Sequence, residues 1–284
     1  MGKISIFYFS GTGNTWWAAG KFADQLSNLG FKAERVSIEQ PPALLLSKIR
    51  NSDIIFLAYP VYGSDRPEPI KDFIRMIPEA SSFAKDLPVP FGIICTQMMY
   101  SGDGAWLEHW LIEEKGYQIK WAVHIRMPNN ISIPGFLFKY TNNYNILGKI
   151  LDKAEIRLNK LALLILNGKD WRQGTSVFWN LMGLMQRRPY RKILPSYQNS
   201  LTIDEERCTA CGKCVKLCPS ENIRTVNGGF PEFLGKCSLC LRCYNYCPAS
   251  AVRYNNKSFR PVPPCRNLPY RGPVENFNPA VLKE

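Results

Sequence analysis

The sequence has no long apolar run. Its longest candidate, Leu161–Leu166, falls far short of the roughly 18 residues that a membrane-crossing helix needs. The short apolar stretch after Met-Gly-Lys ends in a glycine-rich loop and carries no small-residue cleavage site. It is expected to be a first strand and not a signal peptide, which makes a cytoplasmic location the default. Histidine is scarce: His109 and His124 are the only two. That disfavours a di-iron or zinc hydrolase module, because such sites consume several imidazoles; packed or surface roles are expected for both. No Ser-His-Asp constellation or paired-carboxylate motif suggests hydrolysis. Acids are in deficit, with 23 Asp and Glu against 36 Lys and Arg, a formal net charge of +13. The excess is uneven. Residues 169–200 hold six cations and one acid, Asp170, whereas residues 1–168 are close to balance. An average charge of this kind is weak ground for a nucleic-acid partner, and none is expected.

Cysteine, by contrast, is plentiful and clustered. Eight of the ten cysteines fall between Cys208 and Cys247, with Cys95 and Cys265 apart. In a chain read as intracellular, this points to metal or redox chemistry before disulfides. Cys208-x2-Cys211-x2-Cys214-x3-Cys218-Pro219 is followed 29 residues later by Cys237-x2-Cys240-x2-Cys243-x3-Cys247-Pro248. Zinc favours paired C-x2-C units with four ligands per ion and does not account for two three-cysteine runs each closed by Cys-Pro. The pattern resembles the bacterial-type ferredoxin with two [4Fe-4S] clusters, matched at every ligand position across residues 201–255. In that arrangement the fourth cysteine of each motif serves the other cluster. The expected sets are Cys208, Cys211, Cys214 and Cys247 for one cluster and Cys237, Cys240, Cys243 and Cys218 for the other. Such a swap lets about 55 residues fold around metal with little hydrophobic core.

The first 168 residues alternate strand and helix patterns. Strands are expected at Lys3–Phe9, Phe31–Ile38, Asp53–Tyr59, Val89–Cys95 and Gln118–Arg126. Helices are expected at about Thr15–Leu29, Ala43–Arg50, Glu68–Ile77, Ala105–Lys115 and Asn145–Leu166. The last shows apolar residues at helical spacing from Ile146 through Ile150, Ala154, Leu158 and Leu161 to Ile165. This predicts an α/β fold, a doubly wound five-stranded parallel sheet, with a second, smaller α+β domain behind it.

Ser10-Gly11-Thr12-Gly13-Asn14-Thr15 follows the first strand and opens the first helix. Unpaired amides and the positive dipole end there suit an anion. The loop has no lysine and no Gly-Lys-Ser/Thr, which disfavours a triphosphate loop, and it lacks G-x-G-x-x-G spacing. It resembles the FMN phosphate loop of flavodoxins, and the strand–helix alternation extends the resemblance over residues 1–168. What the resemblance implies is an FMN phosphate on Ser10, Gly11, Thr12, Gly13, Asn14 and Thr15. It further implies that Pro60, Val61, Tyr62 and Gly63 face the isoalloxazine, with Tyr62 a candidate stacking ring. The loop from Thr96 through Gln97, Tyr100 and Gly102 to Asp103 would bound its other side. Trp16 or Trp17 is expected to shield the flavin or to pack its helix, and Cys95 to pack in the core.

Residues 169–200 read as a basic aromatic linker with a short amphipathic helix around Ser176–Gln186. Its aromatics are expected to pack on the flanking domains, a reading preferred here to a membrane-surface contact. Residues 256–284 carry Pro261, Pro263, Pro264, Pro269, Pro273 and Pro279 and are expected to form an extended tail. The insertion Pro128–Thr141 suits either a lid over a flavin or an interface to the cysteine domain. Two four-iron clusters and one FMN together describe an electron-transfer protein serving redox-protein partners. The alternative is an FMN-dependent reductase fed by its own ferredoxin domain.

Overall fold

The computed structural model describes residues 2–83, 88–136, 138–226, 229–257 and 268–284. Cys265, Pro261, Pro263 and Pro264 lie outside the described residues. Strand β1 (Lys3–Tyr8) leads through helix α1 (Asn14–Asn28) to β2 (Lys32–Ser37), and α2 (Pro42–Arg50) returns the chain to β3 (Ile54–Pro60). After α3 (Glu68–Met76) come β4 (Val89–Gln97), α4 (Trp110–Glu113), β5 (Tyr117–Arg126) and α5 (Tyr144–Leu166). All pair in parallel, in the order β2-β1-β3-β4-β5. The chain winds outward from β1 in both directions, so the loops after β1 and β3 diverge to opposite faces and leave a crevice at the carboxyl edge. Both phosphate-loop and ring-loop candidates sit at that edge.

Period-two alternation explains the two cores. Ile4, Ile6 and Tyr8 point to the face covered by α1 and α5, with Phe22, Phe56, Val123 and Leu158. Phe7 and Phe9 point to the other face, with Leu57, Tyr59, Phe73 and Ile93. Residues buried on both faces read as continuous apolar strands, as parallel sheets require.

Within the first 200 residues four sequence expectations shift. The sheet has six strands, because Trp171–Arg172 (β6) adds to β5 beyond α5; two residues are too few to show a periodic signal. Helix α4 shrinks to four residues, since Gly102 and Glu108 take left-handed backbone (φ 57° and 48°) and Arg66 holds the Glu108 carboxylate. The buried stripe of α5 begins at Leu147, leaving Ile146 exposed. The linker helix, α6, runs from Val177 to Gln198 straight through Pro189 and Pro195. Each proline removes an amide and crowds the preceding turn, so sequence alone would stop this helix early. Contacts outside the helix hold it. Arg187 is buried and makes a two-pronged ion pair with Asp103 (2.9 and 3.0 Å), while one of its nitrogens also donates to the Ser64 carbonyl. Arg191 pairs in the same way with Asp65 (2.6 and 3.0 Å).

The cysteine-bearing unit follows as β7 (Leu201–Ile203), α7 (Lys213–Leu217), β8 (Ile223–Thr225), β9 (Pro231–Phe233), α8 (Arg242–Asn245) and β10 (Val252–Tyr254). β7 pairs antiparallel with β10, and β8 with β9. The final described segment is not a free extended tail. Tyr270 and Leu282 are fully buried, a 3-10 turn spans Pro279–Lys283, and the Ser37 hydroxyl donates to the Leu282 carbonyl at 2.7 Å.

Breaking the Arg187–Asp103 pair leaves an uncompensated buried charge, a loss of about 3–5 kcal/mol. Arg187→Ala is expected to lower the denaturant midpoint accordingly, with the Asp103→Ala, Arg187→Leu double variant recovering part of the loss; equal unfolding curves for wild type and Arg187→Ala would show that α6 is not held there.

Candidate functional site

The loop after β1 is buried, with Ser10, Thr12 and Thr15 each 1% exposed. Gly13 adopts φ 100°, the left-handed turn that starts α1. The Ser10 hydroxyl accepts from the Gly13 amide at 3.1 Å, and the Thr15 and Thr96 hydroxyls lie 2.7 Å apart. Asn14 donates to the Pro128 carbonyl (2.8 Å) and accepts from the Tyr270 hydroxyl (2.6 Å). The Thr12 hydroxyl accepts from the Asn130 side chain at 2.7 Å. The main-chain amides of Gly11, Thr12, Asn14 and Thr15 meet no acceptor among the described residues. Four buried donors left without an acceptor at the start of a helix suit an anion.

The ring-loop candidates divide. Pro60, Val61 and Tyr62 flank the crevice next to β4, where the Val61 amide donates to the Thr96 carbonyl (3.1 Å). Burial holds the Tyr62 phenol well above its ordinary pKa. The Gln97 side chain donates to the Met99 carbonyl (3.3 Å). Helix α6 covers the rest: Tyr190 lies against Gly63, and Gly183 against Gly102 and Asp103. The Tyr100 ring sits 5.8 Å from Trp179. Cys95 is fully buried, and burial lifts its thiol to about 12. His124 accepts from the Ala105 amide at 3.1 Å, and burial lowers its pKa to about 4, so it is a neutral packed acceptor.

In the cysteine unit the 29-residue repeat extends to the backbone. Ala210 and Leu239, Gly212 and Leu241, and Glu221 and Ser250 share left-handed φ values of 48–67°. Five of these six are not glycine, so surrounding contacts sustain an unfavourable conformation at each. The turns aim amides at sulfur: Asn222 N–H donates to Cys218 (3.3 Å), Leu239 N–H to Cys237 (3.3 Å) and Ala251 N–H to Cys247 (3.2 Å). Burial raises the Cys214 thiol to about 11 and Cys237 to about 12. Thiols so placed ionise only when a cation compensates them. The nine described cysteines form no disulfide. Among the described residues no three Cys, His, Asp or Glu side chains converge on the position of one ion.

The two motifs differ in exposure. Cys211 is exposed and Cys208 and Cys214 half-buried, whereas Cys237, Cys240 and Cys243 are buried. The buried motif faces the phosphate loop. A Cβ on Gly11 would stand 2.5 Å from the Cys240 carbonyl oxygen and 2.9 Å from the Tyr62 hydroxyl, so only glycine admits this approach. Beside it lies Arg242, fully buried. Its guanidinium donates to the carbonyls of Ser10 (2.7 Å), Gly11 (3.3 Å) and Leu217 (3.2 Å), and it pairs with the Glu39 carboxylate. Tyr246 donates to the Thr12 carbonyl at 3.0 Å. The Pro128–Thr141 insertion contributes Asn130, whose carbonyl accepts from the Asn245 side chain (3.3 Å), and Ser132, which bonds Asn245. It therefore acts as interface.

Sequence reasoning missed Arg242, Glu39, Tyr246 and Tyr270. A signal existed for one of them: Arg242 and Lys213 occupy the same position in the two repeats, and only arginine offers the planar fork that serves several oxygens at once.

Residues 201–224 match the 4Fe-4S binding domain family, a span that contains the first cysteine motif only. Comparison with curated proteins finds no match. Among solved structures, the flavodoxin of Streptococcus pneumoniae TIGR4 is 17% identical, with a TM-score of 0.37 over 57% of this chain and 98% of its own. The two-electron reduced flavodoxin of Megasphaera elsdenii is 20% identical, with a TM-score of 0.37 over 56% and 97%. An NAD(P)H:quinone oxidoreductase from Methanothermobacter marburgensis is 13% identical, with a TM-score of 0.38 over 58% and 96%. The strand order β2-β1-β3-β4-β5 makes the first unit a flavodoxin-like α/β fold in its own right. The chain joins that fold to a second unit whose residues 201–224 match the 4Fe-4S binding domain family.

Gly11→Ala forces a methyl group onto the Cys240 main chain, where no side chain can yield. A loss of about 1–3 kcal/mol is expected, together with faster amide exchange in residues 10–14 measured by mass spectrometry. Unchanged exchange would mean that the two loops are not in contact.

Proposed function

We propose that the chain is an electron-transfer protein relaying electrons between two [4Fe-4S] clusters and one FMN, and through them between redox-protein partners. The observation that carries this reading is the contact of Cys240 with Gly11, which sets a cysteine-ligand loop directly on an anion-binding loop. Each cluster passes one electron and FMN takes one or two; joining them in one chain makes the exchange intramolecular.

In this reading Cys208, Cys211, Cys214 and Cys247 hold the outer cluster. Cys237, Cys240, Cys243 and Cys218 hold the inner one. The phosphate of FMN fits the loop Ser10–Thr15, whose four unanswered amides supply donors without a lysine. Pro60, Val61, Tyr62, Thr96, Gln97 and Tyr100 would border the ring, while Gly63, Gly102 and Asp103 serve α6 instead. Domain limits of 1–168, 169–200, 201–255 and 256–284 go with this assignment, with the last segment returning to the phosphate loop through Tyr270. The difference in cysteine exposure supports entry or exit of electrons at the outer cluster and exchange with FMN at the inner one.

Anaerobic purification should yield about eight irons and one FMN per chain; zinc, or iron without flavin, would overturn the reading. The ligand swap has its own test. Cys247→Ala should remove the cluster of the first motif and Cys218→Ala that of the second, each leaving about four irons and one electron paramagnetic resonance signal. Loss of both clusters in both variants, with the flavin-binding unit still folded, would count against separate ligand sets.

A further inference from the structure

Helix α6 has a face that nothing else in the described chain covers. Arg187, Arg191, Gly183 and Tyr190 bind its inner side to the flavodoxin-like unit and fix its rotation. Turned outward are Val177, Phe178, Leu181 and Met185, exposed at 86, 60, 56 and 63%. Phe178, Leu181 and Met185 follow one another at intervals of three and four residues and so form one line along the helix. That line continues into Arg188 and Lys192, both exposed, and neither has an ion-pair partner among the described residues. From Trp171 to Ile203 the sequence contains no Asp or Glu. Of the aromatics expected to pack as a connector, Tyr190 faces inward and Trp179 meets Tyr100, while Phe178 meets its neighbour Trp179 edge-on and stays mostly exposed.

A second exposed stripe lies on α5. There Ile156 (70% exposed) and Leu163 (42%) alternate with the exposed Lys149, Lys153 and Lys160 at the same three-and-four spacing. Between the two helices in sequence stands Trp171 of β6, over whose ring Arg157 and Lys160 of α5 each stand at 4.9 Å. A cavity of about 480 Å³ lined by Arg157, Trp171, Ser176 and Trp179 bridges them.

We propose that this face docks on an anionic lipid surface, with α6 lying in the plane of the headgroups. Apolar tips on a convex helix, exposed by more than half and arranged in one line, suit a fluid surface that can close around them. The cations on the same line and beside it match anionic headgroups, and no acid on α6 opposes them. A protein partner would need a groove of matching shape and carboxylates placed against each cation. No helix among the described residues is long and apolar enough to cross a membrane, so the attachment is peripheral. The inference does not depend on the cofactors.

The test is co-sedimentation of the full-length holoprotein with phosphatidylcholine vesicles, with and without phosphatidylglycerol. The wild type is expected in the pellet only with phosphatidylglycerol, and to be released by salt. Phe178→Ser, Leu181→Ser, Met185→Ser together should lower the partition coefficient more than tenfold. Arg188→Gln and Lys192→Gln should lower it about fivefold each. Near-ultraviolet circular dichroism and visible absorption matching the wild type would confirm that the variants fold and hold their cofactors. A wild type that stays in the supernatant with anionic vesicles overturns the proposal, as does pelleting that neither set of variants changes. Binding to an acidic soluble protein without any binding to vesicles likewise overturns it.

Discussion

Burying one guanidinium between two loops is the constraint on which the rest of this molecule depends. Arg242 has lost all contact with water, and a charge so placed is tolerable only if every donor finds oxygen. Those oxygens come from three places far apart in sequence: the carbonyls of Ser10 and Gly11, that of Leu217, and the carboxylate of Glu39. Satisfying one side chain therefore fixes the phosphate loop, the end of β2 and both halves of the cysteine repeat relative to one another. The glycine at position 11 is the steric counterpart of that electrostatic demand, since anything larger would hold the loops apart.

The same logic recurs at the linker helix. Two carboxylates at the carboxyl edge of the sheet, Asp103 and Asp65, are nearly fully buried, and each is answered by one arginine of α6 one turn from the other. With the pairs in place the helix tolerates two internal prolines, because the anchors supply what the missing backbone bonds do not. The arrangement also takes up Gly63, Gly102 and Asp103, which belong to the same loops as the residues proposed to border a flavin ring.

What the sequence disclosed and what it hid follow from the range of the interactions. The cysteine motifs and the loop Ser10–Thr15 are local, each legible within about a dozen residues, and the strand–helix alternation is periodic. β6 is too short for any period, and the break in α4 rests on the left-handed Glu108, which no propensity foretells. Pairings across 84 and 126 residues fixed α6, and one across 203 residues fixed the interface; none leaves a pattern in a single sequence. The proline-rich C-terminal segment is the clearest case. Its composition argues for an extended tail, yet Tyr270 and Leu282 find buried seats prepared by residues near the other end of the chain.

That last contact has a temporal side. The Tyr270 hydroxyl completes the Asn14 side chain across 256 residues, and Phe277 and Pro273 close over Gly13. At about 5–20 residues per second of synthesis, roughly 13–50 s separate the emergence of the first loop from that of its cover. During that interval the loop Ser10–Thr15 stands without the cover that Pro273, Phe277 and Tyr270 later supply, and any ligand proposed for it has unobstructed access before the chain closes over it.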